Sequence, residues 1–453
     1  MPQDSAPRPG TQRGFLTRLG LDRPELRAWA AYDLGNAAMS AVMFTAIFPI
    51  FFEVVAGHGL APATATFRFS VATTIGLALA ALLAPLIGTA TDYGAGKKRL
   101  LASFAGLGIA ATAGTFFIGQ GAWLTASVLF ILANLGGSVA FALYDSLLPS
   151  IAHGAEIDRV STAGYAVGYI GSGVLMALDL MLIQHPAWFG LPSGPGLSPS
   201  AATLPTRLAF VIVAVFWGAV TIPLMRRVPE PPALARPAGV RGLGMIGLSV
   251  RRLRETLAHM RSYRHAFLFL LAFLVYNDGI GTFIRMAGIY GKEVGIAQSA
   301  LIGSILLVQF VGVPFGFAFG ALAGKIGAKS SIFVGLVVYT LVSVMGYFMT
   351  NALQFLVMAL LVGMVQGGTQ ALSRSLFASM IPQEKAGEFF GFFAVGEKFA
   401  GILGPAVFAV TIAVTGSSRE AILSVIGFFV VGGLLLSRVD VAAGREEARR
   451  ILS

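Results

Sequence analysis

Any chemistry in this chain must come from ionisable side chains set inside long apolar runs. Arg374 lies in one such run and Glu397 and Lys398 lie in the next, with the break Ile381-Pro-Gln-Glu-Lys385 between them. Asp33, Asp145 and Asp278 occupy three others, and Arg285 follows Asp278 on the same run. An ionisable group near the middle of a bilayer costs about 2.5–3.5 kcal/mol on insertion scales, so it faces a cavity or a partner. Asp33 and Asp145 should lie at similar depth, because their runs cross in opposite directions. Arg374, about two turns from the inner end of its helix, should lie near both. A carboxylate whose cationic partner moves away between two conformations gains and loses a proton, which couples solute movement to a gradient. The plainer alternative is a permanent salt bridge at an inner gate. Asp278 and Arg285 are two turns apart, about 10 Å along a helix axis, so each needs another partner.

The elements that must hold these groups are membrane helices. Hydrophobic residues make up 56% of the 453 and charged residues 12%, a balance that no soluble surface of this size tolerates. Runs of the length a helix needs to cross a bilayer recur throughout, which predicts an all-α protein. Twelve spans are expected, at 28–55, 66–90, 100–118, 123–149, 160–184, 206–226, 265–291, 299–324, 330–350, 352–380, 387–414 and 419–438. There are no cysteines, which excludes disulfides, thiolate metal sites and cysteine nucleophiles. The five histidines fall at loops or helix ends, and no metal site or cofactor is expected. Asp179 falls near the outer end of the fifth span and is expected to pair or snorkel.

The net charge of +11 does not point to nucleic acid, because the cations flank the spans. Arg8, Arg13, Arg18, Arg23 and Arg27 precede the first span, Lys97, Lys98 and Arg99 join the second to the third, and nine arginines lie between Arg226 and Arg264. By the positive-inside rule both termini are cytoplasmic. The first 27 residues lack an apolar core ending in a cleavage site, so no signal peptide is expected.

Residues 227–264 divide the chain into bundles at 28–226 and 265–438, with tails at 1–27 and 439–453. Pro229, Pro231, Pro232 and Pro237 mark a linker. Beyond it Ile246, Val250, Leu253, Leu257 and Met260 recur at helical spacing under a basic face, the pattern of an amphipathic helix on the inner membrane surface. The loop 185–205 is rich in Pro, Gly and Ser and reads as disordered, with Trp188 an interfacial anchor. The bundles are related: Ala142-Leu-x-x-Ser146-Leu recurs as Ala371-Leu-x-x-Ser375-Leu, Ala166-Val-Gly168 as Ala394-Val-Gly396, and Gly88 as Gly320. Parallel repeats of this kind belong to rocking transporters with a site between the halves.

The loop Gly88-Thr-Ala-Thr-Asp92-Tyr-Gly-Ala-Gly96-Lys97-Lys98-Arg99 resembles the inner-loop motif of the major facilitator superfamily. An acid at a helix end can latch basic residues and neighbouring helix termini in one conformation. In the second copy Gly324 replaces the acid, so any latch there must be weaker or absent. Three further stretches narrow the resemblance. They are Trp29-Ala-Ala-Tyr32-Asp33-Leu-Gly-Asn36; Tyr276-Asn277-Asp278-Gly279 with Arg285; and Gln370-Ala-Leu-Ser-Arg374-Ser with Glu388-Phe-Phe-Gly391 and the Gly404-Pro405 end. Together they resemble the vacuole-effluxer family, whose fungal members are similar to autophagy-related amino-acid exporters. Leu34-Gly35 and Glu397 depart from that pattern beside candidate site residues.

That resemblance implies a central cavity lined by the first, fourth, seventh and tenth spans. Their polar stripes are Asp33, Asn36 and Ser40; Asn134, Ser138 and Asp145; Asp278, Thr282 and Arg285; and Gln366, Gln370 and Arg374. Tyr32, Tyr144, Tyr276 and Asn277 join them as expected substrate contacts. The implied function is secondary active transport of a small polar organic solute by a monomer in the bacterial inner membrane. Amino acids and proton coupling are favoured; a sugar, a lipid-derived metabolite or a non-transporting receptor are the alternatives. An enzyme is not expected. Tyr32-Asp33 and Tyr144-Asp145 echo half of an intramembrane aspartyl-protease site, but its Gly-x-Gly-Asp partner is absent, and there is no Gly-x-Ser-x-Gly elbow. Without a nucleotide-binding loop, ATP is not the energy source.

Overall fold

The computed structural model describes residues 15–93, 96–154, 156–232, 234, 243–258, 263–399 and 403–450. They form an all-helical bundle. Spans 2 to 6 are Pro62–Asp92, Lys97–Gly114, Trp123–Asp145, Glu156–Gln184 and Leu204–Arg227. Spans 7 to 10 are Arg264–Glu293, Gln298–Ile326, Ala328–Tyr347 and Ala352–Ala378, and span 12 runs through Ser418–Ser424 and Ile426–Ser437. Spans 8 and 9 are joined by Gly327 alone, whose φ of 86° suits a residue without a Cβ.

Span 1 is not simple. It starts as Pro24–Ser40 and continues through π turns at Ala41–Ala46 and Phe52–Ala56, with a 40° bend between them. Pro49, which lacks an amide hydrogen, sits at the bend. Span 11 is described over Ala386–Phe399 and Leu403–Thr415. Among the described residues ten helices are long and apolar enough to cross a membrane, eleven with the bent pair counted as one, against the twelve expected.

The halves meet along two seams at the face that carries both ends of the described chain, here the termini face. In one, span 2 packs on Ala386–Phe399; in the other, span 5 packs on span 8. Leu243–Ala258 is helical as the spacing predicts, but it leans on the end of span 2. Its buried positions include Ser249 and Thr256, while Val250 is exposed and Arg252 lies over the Tyr93 ring. Met260 is outside the described residues. The 185–205 loop is ordered rather than disordered. His185 stacks on Trp188 at 4.3 Å, and Ser198 caps the turn Pro199–Ala202.

Candidate functional site

Arg374 is fully buried. Span 10 carries it out of its own half and into the other. Its Nη1 donates to Asp145 Oδ1 at 2.8 Å and lies 3.7 Å from Asp33 Oδ2. Nε donates to the Ser161 hydroxyl at 3.0 Å and Nη2 to the Ser161 carbonyl at 2.9 Å. The Ser161 hydroxyl in turn donates to the Ala371 carbonyl, tying span 5 to span 10. The guanidinium carbon sits 4.8 Å from the Trp29 ring centre and 4.5 Å from that of Tyr165. A buried charge persists only when it is paired and hydrogen-bonded, and a planar five-donor fork meets all of these partners at once. Tyr144 donates to Asp33 Oδ2 at 3.3 Å, and the Trp29 indole donates to the Tyr144 carbonyl. Gly164 makes the room: a Cβ there would stand 3.2 Å from Arg374 Nη2 and 2.9 Å from the Trp29 ring.

Two carboxylates therefore share one guanidinium. With both ionised the cluster carries one excess negative charge, and one proton removes it. The two acids differ in access, since Asp33 lines the cavity above the cluster and Asp145 does not.

That cavity holds about 570 Å³. It runs from mid-depth to Thr45, Ala287, Leu301 and Phe355, near the span ends remote from the termini. Asn36 and Ser40 line it from span 1, Ser138 from span 4, and Tyr165, Tyr169 and Ser172 from span 5. The other half contributes Asn277, Arg285, Gln309, Gln366, Gln370 and Glu397. Amides and hydroxyls thus surround a cation on one wall and carboxylates on two others.

On the termini side the first seam is latched. Asp92 accepts from Lys97 Nζ at 3.0 Å and from the backbone amides of Gly387 and Glu388 at 2.9 and 2.8 Å. Those amides are orphan donors at the start of Ala386–Phe399, where a carboxylate is favoured by the helix dipole. The helices cross so closely that a Cβ on Gly88 would fall 2.0 Å from the Gly387 carbonyl oxygen. Lys98 reaches the Val228 carbonyl, and the Lys98 and Gly96 amides donate to Glu230. Arg99 is exposed.

The profile of the family "Vacuole effluxer Atg22 like" matches residues 57–449. This chain belongs to that family of major facilitator transporters. An uncharacterised MFS-type transporter of Bacillus subtilis (strain 168), YxiO, is 37% identical over 413 residues, spanning 91% of this chain and 94% of its own. Autophagy-related protein 22-1 of Neosartorya fischeri is 26% identical over 314 residues, 64% of this chain. The match spans about half the length, 49%, of that fungal relative. Among solved structures, the proton:xylose symporter XylE has a TM-score of 0.66 at 14% identity, covering 97% of this chain and 99% of its own. FucP in its outward conformation has a TM-score of 0.64 at 12% identity, covering 92% and 100%. These likenesses give the fold of an integral membrane transporter.

In this effluxer-family transporter, Asp33, Asn36, Asn277, Arg285, Gln366 and Gln370 line one cavity. Tyr32, Tyr144 and Tyr276 do not line it, nor do Asn134, Asp145, Asp278, Thr282 and Arg374 of the expected stripes. Tyr32 is buried, and Tyr144 turns to Asp33. Tyr276 bonds Ser373 at 2.6 Å. Asp278 accepts from the Gly404 amide of span 11 at 2.8 Å. Asp179 is fully buried, and among the described residues neither carboxylate oxygen has a hydrogen bond or ion pair. Tyr165, Tyr169, Ser172 and Gln309 were not anticipated. Their signal was legible as Tyr165, Tyr169, Ser172 and Met176 recurring every third or fourth residue on span 5.

Proposed function

We propose that the protein is a proton-coupled secondary transporter of a small zwitterionic solute of the amino-acid class, working by alternating access. The observation that carries this reading is the bipolar cavity. Arg285 offers a partner for a solute carboxylate, and Asp33 and Glu397 offer partners for an ammonium group. Asn36 Oδ1 has no hydrogen bond among the described residues and supplies a further acceptor. A volume of about 570 Å³ lies within the range of small-molecule sites, and amides in an otherwise apolar wall orient such a ligand. The proton belongs on Asp33, because it is the cavity-facing member of the pair that shares Arg374. With the termini cytoplasmic, this conformation faces outward; parting the Arg374 cluster and the Asp92 latch opens the opposite face.

A sugar-like solute is the second reading, favoured by the amide side chains of Asn36, Asn277, Gln309, Gln366 and Gln370, which suit hydroxyl groups. The solved structure of XylE is that of a proton:xylose symporter, which agrees with it. Counterflow of labelled amino acids and sugars into liposomes, with and without a pH step, separates the two. A parallel thermal-shift screen adds an independent readout, since a ligand at about 100 times its dissociation constant stabilises by about 2.7 kcal/mol. Exchange and stabilisation by sugars but by no amino acid would end the amino-acid reading.

A further inference from the structure

The two seams at the termini face are not equivalent, and the difference leaves a site. Along spans 5 and 8 the glycines also interlock, less tightly than Gly88 and Gly387 do. A Cβ on Gly312 would meet the Tyr169 ring at 2.8 Å, on Gly316 the Ala166 Cβ at 3.0 Å, and on Gly320 the Thr162 hydroxyl. One turn further, at Gly324, nothing lies within 4 Å. The seam opens there into a second cavity of about 290 Å³, lined by Leu19, Arg159, Phe317, Ala321 and Lys325 beside those glycines.

This is the place where the other seam holds Asp92. Here the acid is missing and two cations are present. Neither the Arg159 nor the Lys325 side chain has a hydrogen bond or ion pair among the described residues, whereas the neighbouring acids are engaged. Glu156 pairs with Arg23 at 2.7 Å, and Asp158 accepts from Ser375 at 2.6 Å. The cavity lies at the last turn of span 8 and the first turn of span 5, the depth of a lipid headgroup on that side. Apart from Thr162 and the glycines its other walls are apolar, and Ile326 beside it is exposed.

We infer that this cavity binds the phosphate headgroup of an anionic glycerophospholipid, which stands where a carboxylate stands in the other seam and holds spans 5 and 8 together. The Arg159 fork matches two phosphate oxygens, Lys325 adds a point charge, and Leu19, Phe317 and Ala321 receive the first methylenes of the chains. A volume near 290 Å³ suits a headgroup rather than a whole lipid. Charge complementarity favours this occupant over a zwitterionic lipid, whose own ammonium would meet two cations.

The full-length protein in nanodiscs of phosphatidylcholine, with or without phosphatidylglycerol, tests this. Spin labels on cysteines introduced on spans 5 and 8 at the termini face report closure, in a chain with no native cysteine. Two cations near an anionic surface favour the acidic lipid on the order of tenfold, so phosphatidylglycerol should shift the distances toward the closed form. The double variant Arg159→Gln with Lys325→Gln should lose that response while keeping solute exchange in phosphatidylcholine alone. Arg159→Lys should retain most of it, which separates lost charge from a lost fold. An equal response of the double variant, or no difference between the two lipids, overturns the inference. So does millimolar inorganic phosphate or glycerol phosphate reproducing the shift in phosphatidylcholine, since a soluble anion would then be the occupant.

Discussion

The two halves of this transporter keep one scaffold and use its equivalent positions for opposite purposes. Asp145 and Arg374 lie 229 residues apart, the same offset that relates the repeated Ala-Leu-x-x-Ser-Leu segments. Corresponding sites on the fourth and tenth spans thus carry opposite charges and meet across the pseudo-symmetry axis. Asp33 and Asp278, on the first helix of each half, have diverged further. One faces the cavity and the guanidinium, and the other accepts from the Gly404 amide of span 11. Duplication supplies a frame that rocks. Divergence of a few charged residues makes its two sides chemically unequal.

The largest effect expected from breaking this pattern is at Arg374. Arg374→Ala leaves Asp33 and Asp145 buried without their cation, and removing one partner of a buried pair costs about 3–5 kcal/mol. Exchange and gradient-driven accumulation should both fall to background in liposomes, with a marked loss of thermal stability. Because the paired positions are equivalent, the charge swap Asp145→Arg with Arg374→Asp should recover part of the stability. No recovery at all would mean that Ser161 and the aromatic cradle, rather than symmetry, decide the polarity.

Next come the seams. Gly88→Ala drives a methyl group into the Gly387 carbonyl, and overpacking of this kind costs about 1–3 kcal/mol. That exceeds the gain of roughly 1 kcal/mol that alanine brings to a helix interior. Distances between spin labels on spans 2 and 11 at the termini face should lengthen. Gly324→Ala, with open space around it, should leave the corresponding distances between spans 5 and 8 unchanged. Similar behaviour of the two variants would erase the asymmetry between seams.

The paired acids give a smaller, qualitative contrast. Asp278→Ala removes the acceptor of the Gly404 amide and should cost about 1 kcal/mol of stability, with coupling to a pH step intact. Asp33→Asn should abolish gradient-driven accumulation but spare exchange at equal pH, because exchange need not return an unloaded, deprotonated carrier. Unchanged accumulation by Asp33→Asn would leave this acid as a gate.

Asp179 offers the mildest test. Its carboxyl is buried without a hydrogen bond, an arrangement that costs stability. Asp179→Leu should raise the melting temperature by a few degrees and leave transport as it was. Loss of transport would give the fifth span an ionisable role with no counterpart in the other half.

Sequence alone determined the architecture here, because bilayer thickness and backbone hydrogen bonding permit few solutions to runs this apolar. It also brought Arg374, Asp33 and Asp145 together, since their depths follow from crossing direction and position along a span. Most of the cavity followed too, as Asn36, Ser40, Gln366 and Gln370 lie on stripes that helical spacing makes visible. What it could not determine is rotation of each helix about its axis. Packing sets that rotation, and it decides that Tyr165 and Tyr169 face the cavity while Tyr32, Tyr144 and Tyr276 do not. It could not reveal either that the partner of the Gly404 amide is Asp278, more than a hundred residues away. Nor could spacing show that Asp92 reaches the amides of Gly387 and Glu388, because that contact depends on two helices approaching closely enough to exclude even a Cβ.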